Sequence, residues 1–379
     1  MVVGDIATTI EVVILGAGPG GYVSALRAAR LGKEVVLVDP GLPGGTCLHQ
    51  GCIPSKALLS AAGRAWQMTH SSDMGITVEP PRLDLPQMQK WKEAVVTRLS
   101  GGVKQLLDHW KVEFVAGTGF FLGENELRVE AEYGTKRFIF EQAIIAVGGE
   151  PAPLPELPFD GDRILSPSQA LSLTALPDSL AIIGTDYIAV ELATIYAKLG
   201  ADVHLLLPEG QPLLAEFDPA AGRLVRARLK KLGVTLQTKV DDPVKAAGDA
   251  ARVIVSNGLI PRTGALHADK AGVELDECGF VPVNDRMQTS NRQIYAVGDV
   301  TGGPALAHIA IKQGKVAAEM IAGQPARYAP QAVPRVAWTD PMVAAVGLSG
   351  EQSQELGDQV ITDRFPLGAN GRGLTLDTN

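Results

Sequence analysis

Two cysteines, Cys47 and Cys52, stand with four residues between them in the segment Gly44-Gly45-Thr46-Cys47-Leu48-His49-Gln50-Gly51-Cys52-Ile53-Pro54-Ser55-Lys56. Thiols at that spacing come within disulfide range on a bent helical turn. A helix N-terminus lowers a thiol pKa, so a thiolate becomes available near neutral pH. By spacing alone the pair also suits half a zinc site or two buried thiols. A four-ligand zinc site is hard to complete, because the only other cysteine is Cys278 and the nearest histidine, His49, lies inside the loop itself. No metal site is expected.

A second pattern precedes the cysteines. Gly16, Gly18 and Gly21 have G-x-G-x-x-G spacing. The first glycine permits a tight turn, the second lets a pyrophosphate approach the backbone, and the third lets helix and strand pack closely. The helix that follows offers free N–H groups and a partial positive charge to the phosphates. Asp39 comes 21 residues after Gly18, where an acid hydrogen-bonds an adenosine ribose.

These residues need a β-α-β frame. Residues 10–15 read as a short buried strand, 22–31 as an Ala-rich helix stopped by Gly32, and 34–38 as a second strand ending at Asp39. Helices are expected over 55–70 and 84–107, a β meander over 112–121 and 127–140, and a buried strand over 143–147. A proline-rich linker occupies 151–158. The pattern then repeats: strand 180–183, a turn at Gly184, helix 188–199, a stop at Gly200 and strand 203–207. The chain therefore carries an internal duplication of a nucleotide-binding half. An amphipathic helix over 217–232, strands over 234–237 and 252–255, a strand over 293–297 running into Gly298-Asp299, and a helix over 307–321 follow. A strand-rich piece begins at 333.

Composition sets outer bounds. The 379 residues hold 34 Lys and Arg against 42 Asp and Glu, a net charge of −8. That balance argues against a nucleic-acid partner, which needs a basic face. No apolar run reaches the length of a membrane span. Residues 1–11 lack the basic n-region of a signal peptide. Three cysteines in so long a chain suggest a reducing compartment, with the cytoplasm as default.

The cysteine segment behind an N-terminal G-x-G-x-x-G resembles the flavin-dependent pyridine nucleotide–disulfide oxidoreductases. Ile53-Pro54-Ser55-Lys56 is closer to the dihydrolipoamide dehydrogenase branch than to the glutathione reductases, and the C-terminal cysteine pair frequent in mercuric reductases is absent. Ile294-Tyr295-Ala296-Val297-Gly298-Asp299, Leu306-Ala307-His308 and Thr339-Asp340-Pro341 also match, so the resemblance runs from about residue 2 to the last.

The resemblance implies an α/β fold with two Rossmann-like nucleotide-binding domains, FAD and NAD type, plus an incomplete C-terminal α+β interface domain. Residues 1–150 and 263–332 would form the FAD-binding domain, 151–262 a shortened NAD-binding-like domain, and 333–379 the first part of the interface domain. FAD would lie against the cysteines. Cys47 would exchange with a dithiol, and Cys52, beside the flavin, would form the charge-transfer complex. Lys56 would stabilise reduced flavin, partnered by Glu191 of the Tyr187–Glu191 motif; the alternative is that both are solvated helix charges. Asp299 would hold the ribityl or phosphate region, with Gly298 allowing close approach; for Asp299 alone, helix capping is the alternative. Gly45, Thr46, Gly148 and Ala307 complete the implied FAD site, and Gly184 and Tyr187 belong to the NAD side. His308 reads equally as a packed core residue. The implied activity passes electrons between a dithiol, the Cys47–Cys52 disulfide, FAD and NAD. The implied partners are a small dithiol or the lipoyl domain of a 2-oxo acid dehydrogenase complex, and a second copy in a homodimer.

Several positions depart from the pattern. Asp186 stands at the middle glycine of the second motif, where a side chain obstructs the pyrophosphate and a carboxylate repels it. Leu207 replaces the ribose-binding acid, Glu209 comes two residues late, and no Arg pair favours NADP. Val147 removes a hydroxyl near the flavin. Only residues 238–250 separate two strands where the family places a meander. The family's interface domain carries a His-Pro pair and a Glu that act across the dimer as base and orienter, and no His-Pro pair occurs here. The expectation is thus a C-terminally truncated relative with a degenerate NAD motif. Two other readings stay open: a flavin-binding pseudoenzyme or fragment without NAD turnover, and a disulfide reductase using another electron donor.

Overall fold

The computed structural model describes residues 7–375. Residues 1–6 and 376–379, which include part of the segment read for a signal peptide and the end of the last piece, lie outside it. Contacts divide the chain into two units, residues 1–57, 86–152 and 258–330 in the first, and 58–85, 153–257 and 331–379 in the second.

In the first unit, β1 (Ala7–Leu15) leads into α1 (Pro19–Arg30) and β2 (Val35–Asp39). Val12 and Ile14 of β1 join one buried cluster and Val13 and Leu15 the other, so the central strand is apolar on both faces. α1 starts three residues earlier than its apolar pattern predicts. Gly18 is extended and caps the helix, and Pro19 fits the first turn, where a missing N–H costs nothing. Two helices carry the cysteines, α2 (Gly45–His49) and α3 (Cys52–Thr69), and α4 (Leu85–His109) follows. The strands β3 (Glu113–Ala116), β4 (Thr118–Gly123), β5 (Glu126–Ala131), β6 (Gly134–Ile145) and β7 (Gly149–Pro151) complete this stretch. β6 is one continuous strand where the sequence suggests two. Residues 134–139 pair antiparallel with β5, and residues 137–145 pair parallel with β1.

The second unit contains β8 (Ile164–Leu165), α5 (Pro167–Ala170), β9 (Ser179–Ile183), α6 (Tyr187–Leu199), β10 (Asp202–Pro208), α7 (Pro219–Lys231), β11 (Thr235–Val240), α8 (Pro243–Ala247) and β12 (Arg252–Val255). Its strands form a parallel sheet in the order β11-β10-β9-β12-β8. The short α8 occupies the stretch where the family's meander was missing. β13 (Leu259–Pro261), β14 (Ile294–Ala296) and α9 (Ala307–Ile321) return to the first unit. The hairpin β15 (Arg335–Ala337) and β16 (Val343–Ala345) belongs to the second.

The first unit's main sheet runs β3-β2-β1-β6-β5-β4, with β14 also paired to β6. Ligands of open α/β sheets bind outside the carboxyl ends of the parallel strands. Those ends are Leu15 before Gly16, Asp39, Ile145 before Ala146, and Ala296 before Val297. The fold is α/β with parallel, Rossmann-like sheets, as the sequence implies. Among the described residues no helix is long and apolar enough to cross a membrane.

Candidate active site

The glycine loop is shaped by close packing. Gly16 has φ +99°, and a Cβ there would fall 2.2 Å from the Ala146 carbonyl oxygen. Gly18 is extended, with φ −68° and ψ −178°, and caps α1 without any side-chain hydrogen bond. The first-turn N–H groups of α1 are therefore bare of a capping side chain, as an anion site requires. Asp39 accepts from the Ala17 N–H through Oδ2 at 2.6 Å and from the Gly41 N–H through Oδ1 at 2.7 Å. Each carboxylate oxygen keeps a further lone pair for a ribose hydroxyl.

The cysteine loop is docked on this glycine loop. The Gly44 N–H donates to the Ala17 carbonyl at 2.8 Å. Gly45 has φ +59°, and a Cβ on it would lie 2.4 Å from the Gly18 Cα, so the two backbones touch. Thr46 and Cys47 follow in the first turn of α2, and Cys52 opens the eighteen-residue α3.

Both cysteines are free thiols, the reduced form of the pair, and both are half-buried. A hydrogen bond to Cys52, then burial, hold the Cys47 thiol strongly protonated, reinforced by negative charge on Cys52 and Asp299 and opposed by the Lys56 ammonium. The two sulfurs, Lys56 and Asp299 therefore converge in one place. Cys52 opens α3, at a helix N-terminus that favours an anion. Lys56 Nζ donates to Ser55 Oγ at 3.2 Å.

Asp299 sits in the short turn Gly298–Thr301, whose cap is Val297 with no side-chain bond, so the helix-capping alternative does not apply. Burial pushes its carboxyl up, and the Arg262 guanidinium pulls the other way. The Gly298 N–H donates to Gln313 Oε1 at 2.7 Å. Gly148, with φ +71°, borders open space: a Cβ there would meet nothing within 4 Å. Ala307 begins α9, another helix with no side-chain cap. His308 is exposed, so the core reading of it is set aside.

A bare helix terminus, an acid at the end of β2, a positive-φ glycine beside free space and a cation next to the thiols together fit FAD. Two further residues belong here. Burial first, and then the neighbouring Cys47, push the Tyr22 phenol of α1 up. Arg262 acts on the charge of Asp299, and its Nε lies 3.7 Å from Glu150 Oε2. Neither carried a sequence signal, because an aromatic on an Ala-rich helix and an Arg in a loop are both common on surfaces.

In the second unit Glu191 is 3% exposed, which excludes a solvated charge, and its Oε1 accepts from the Trp338 N–H at 3.0 Å. Gly184 turns the chain after β9, and Tyr187 opens α6. Asp186 caps α6, its Oδ1 accepting from the Ala189 N–H at 2.8 Å. Ser256 Oγ lies 3.0 Å from Oδ1 and 2.9 Å from Oδ2 of the same carboxylate. Leu207, where a ribose-binding acid would stand, is 1% exposed. As they stand, these residues do not fit a dinucleotide pyrophosphate.

Burial pushes the Asp186 carboxyl up from 3.8 to about 6, aided by Glu216 and opposed by the bonds from Ala189 and Ser256. A raised folded-state value means that the ionised form costs stability above pH 6, and that the cost fades as pH falls toward 4. Asp186→Asn keeps a good cap and removes the charge. It should stabilise the protein at pH 8 by about 1–3 kcal/mol, with the gain shrinking between pH 6 and 4.5. Melting temperatures of both proteins at pH 8 and 4.5 check this; an equal difference at the two pH values contradicts it.

Comparison with known proteins agrees with this geometry. The family model described as pyridine nucleotide-disulphide oxidoreductase matches residues 10–314. Dihydrolipoyl dehydrogenase of Geobacillus stearothermophilus is 42% identical over 394 residues, covering 100% of this chain and 83% of that protein. The Bacillus subtilis dihydrolipoyl dehydrogenase is 39% identical over 396 residues, covering 100% and 84%. The crystal structure of LpdA from Mycobacterium tuberculosis superposes with a TM-score of 0.88 at 25% identity, covering 97% of this chain and 84% of that one. The chain belongs to the pyridine nucleotide-disulphide oxidoreductase family, whose members use FAD and NAD, and is an FAD-dependent disulfide oxidoreductase.

Proposed function

We propose that the chain oxidises a dihydrolipoyl-type dithiol through Cys47 and Cys52. The convergence of both sulfurs, Lys56 and Asp299 at the carboxyl end of the first sheet carries this reading. A substrate thiolate attacks Cys47 Sγ of the oxidised pair, forming a mixed disulfide and releasing Cys52 as thiolate. The second substrate thiol then displaces Cys47 Sγ. The substrate leaves as a disulfide, and its two electrons and one proton remain on the cysteines, the proton on Cys47. FAD, when bound, supplies the two-electron acceptor beside Cys52. Gly16, Gly18, Gly21, Asp39, Gly45, Thr46, Gly148, Gly298, Asp299 and Ala307 would hold it, and Lys56 would offset the charge it gains.

Residues 1–150 and 263–332 would then be the FAD-binding domain, 151–262 the NAD-type domain, and 333–379 interface material. The dithiol would be dihydrolipoamide or a lipoyl domain of a 2-oxo acid dehydrogenase complex, and a second copy would complete a homodimer in the cytoplasm. Two thiols on one molecule make the second displacement intramolecular, worth a large effective concentration. Dihydrolipoamide should therefore reduce the bound flavin at least about 100-fold faster than a monothiol at equal thiol concentration. Stopped-flow flavin absorbance tests this, and comparable rates would overturn it. A second reading, an intact dithiol half-reaction with weakened nicotinamide turnover, is favoured by the carboxylate of Asp186 at α6.

A further inference from the structure

The two glycine motifs of this chain allow an internal comparison. Gly18 caps α1 with φ −68° and ψ −178°, and Asp186 caps α6 with φ −77° and ψ 173°. Gly16 matches Gly184, and Gly21 matches Ala189. The two cap residues thus share one backbone conformation, although the preceding glycines differ, with φ +99° at Gly16 and +152° at Gly184. What differs is the occupant. At α1 no side chain among the described residues caps the first turn. At α6 a carboxylate does, taking the Ala189 N–H at 2.8 Å, while the Ser256 hydroxyl, at the end of β12, lies within 3.0 Å of both its oxygens. Ser256 lies 70 residues further along the chain and is itself buried, so the clasp is built by the sheet and not by local sequence.

We infer that Asp186 is the specificity-determining residue of the second nucleotide domain: its carboxylate, clasped by Ser256, is an internal substitute for the pyrophosphate, and a nicotinamide dinucleotide binds only by expelling it. A carboxylate left in place would face two phosphates at contact distance, with Glu216 adding negative charge from the loop before α7. Expulsion breaks the bonds to Ala189 and Ser256. Dinucleotide affinity is therefore set by how firmly the carboxylate is held.

The inference rests on reading residues 153–257 as a nucleotide domain, and its test is independent of dithiol chemistry. NADH is titrated into the FAD-loaded full chain and followed by calorimetry, for the wild type, Asp186→Gly, Asp186→Asn and Ser256→Ala, each checked by thermal melting. Asp186→Gly should tighten the NADH Kd at least tenfold. Asp186→Asn, which keeps the cap and the bulk but not the charge, should give part of that gain. Ser256→Ala should tighten it a few-fold by loosening the clasp. Wild-type affinity in both Asp186 variants would overturn the inference. If dihydrolipoamide still reduces the flavin in that case, the proposed function stands alone; if NADH tightens as stated but no dithiol reduces the flavin, only the proposed function falls.

Discussion

Cys52→Ser abolishes dithiol oxidation, lowering turnover by about 10³-fold or more, and no long-wavelength thiolate–flavin band forms on reduction. Cys47→Ser loses turnover equally but shows that band before any reductant is added. The asymmetry follows from the hydrogen bond between the two thiols. In the reduced pair the proton is held on Cys47, by Cys52 first and by burial second. Cys52 is the first residue of α3, where the helix terminus favours an anion. On the proposed assignment, Cys52→Ser removes the sulfur that would neighbour the flavin, and Cys47→Ser removes the one that would meet substrate and leaves the other in place. Absorbance spectra of the two purified variants, with and without dithiol, decide between this assignment and its reverse.

Gly18→Asp yields folded protein without flavin. A Cβ at Gly18 meets only the Gly45 Cα, at 4.0 Å, an ordinary contact, and the backbone there already has the conformation that Asp186 adopts. The new carboxylate would cap α1 as Asp186 caps α6. It would occupy the N–H groups that a pyrophosphate needs and repel it by charge. FAD affinity should fall by about 10³-fold or more, the worth of about three lost or opposed charge-assisted hydrogen bonds. Flavin content after purification measures this, with circular dichroism to confirm the fold. Retained stoichiometric FAD would contradict the placement of the cofactor at α1. Gly45→Ala would be a poorer probe, because its Cβ collides with the Gly18 Cα and φ is +59°.

Much of this site is local and therefore legible in the sequence. The glycine motif, Asp39 and the cysteine pair all lie within 41 residues, from Gly16 to Lys56, and their spacing reflects one β-α-β unit. Asp186 also stood out, because its motif is short. What sequence reading missed depends on the sheet. Ser256 reaches Asp186 because β12 lies beside β9, and no local pattern encodes that adjacency. Arg262 comes within electrostatic reach of Asp299 because β13 pairs with β7 and the Arg262 N–H donates to the Gly148 carbonyl at 3.1 Å. The sequence suggests two strands over β6 because its burial changes from alternating to continuous near Gln142, as the neighbour on one edge changes from β5 to β14 while β1 stays on the other. The apolar period predicts a late start for α1 because it begins after the glycines, although Pro19 marks a first helical turn.

The central claim is that the cysteine pair exchanges electrons with FAD bound at the amino end of α1. An anaerobic titration of the FAD-loaded full chain with dihydrolipoamide, without nucleotide, addresses it directly. One equivalent should raise a long-wavelength absorption band while the main flavin absorbance is largely kept. Direct bleaching of the flavin with no such band, or an oxidised spectrum that does not change, would contradict it.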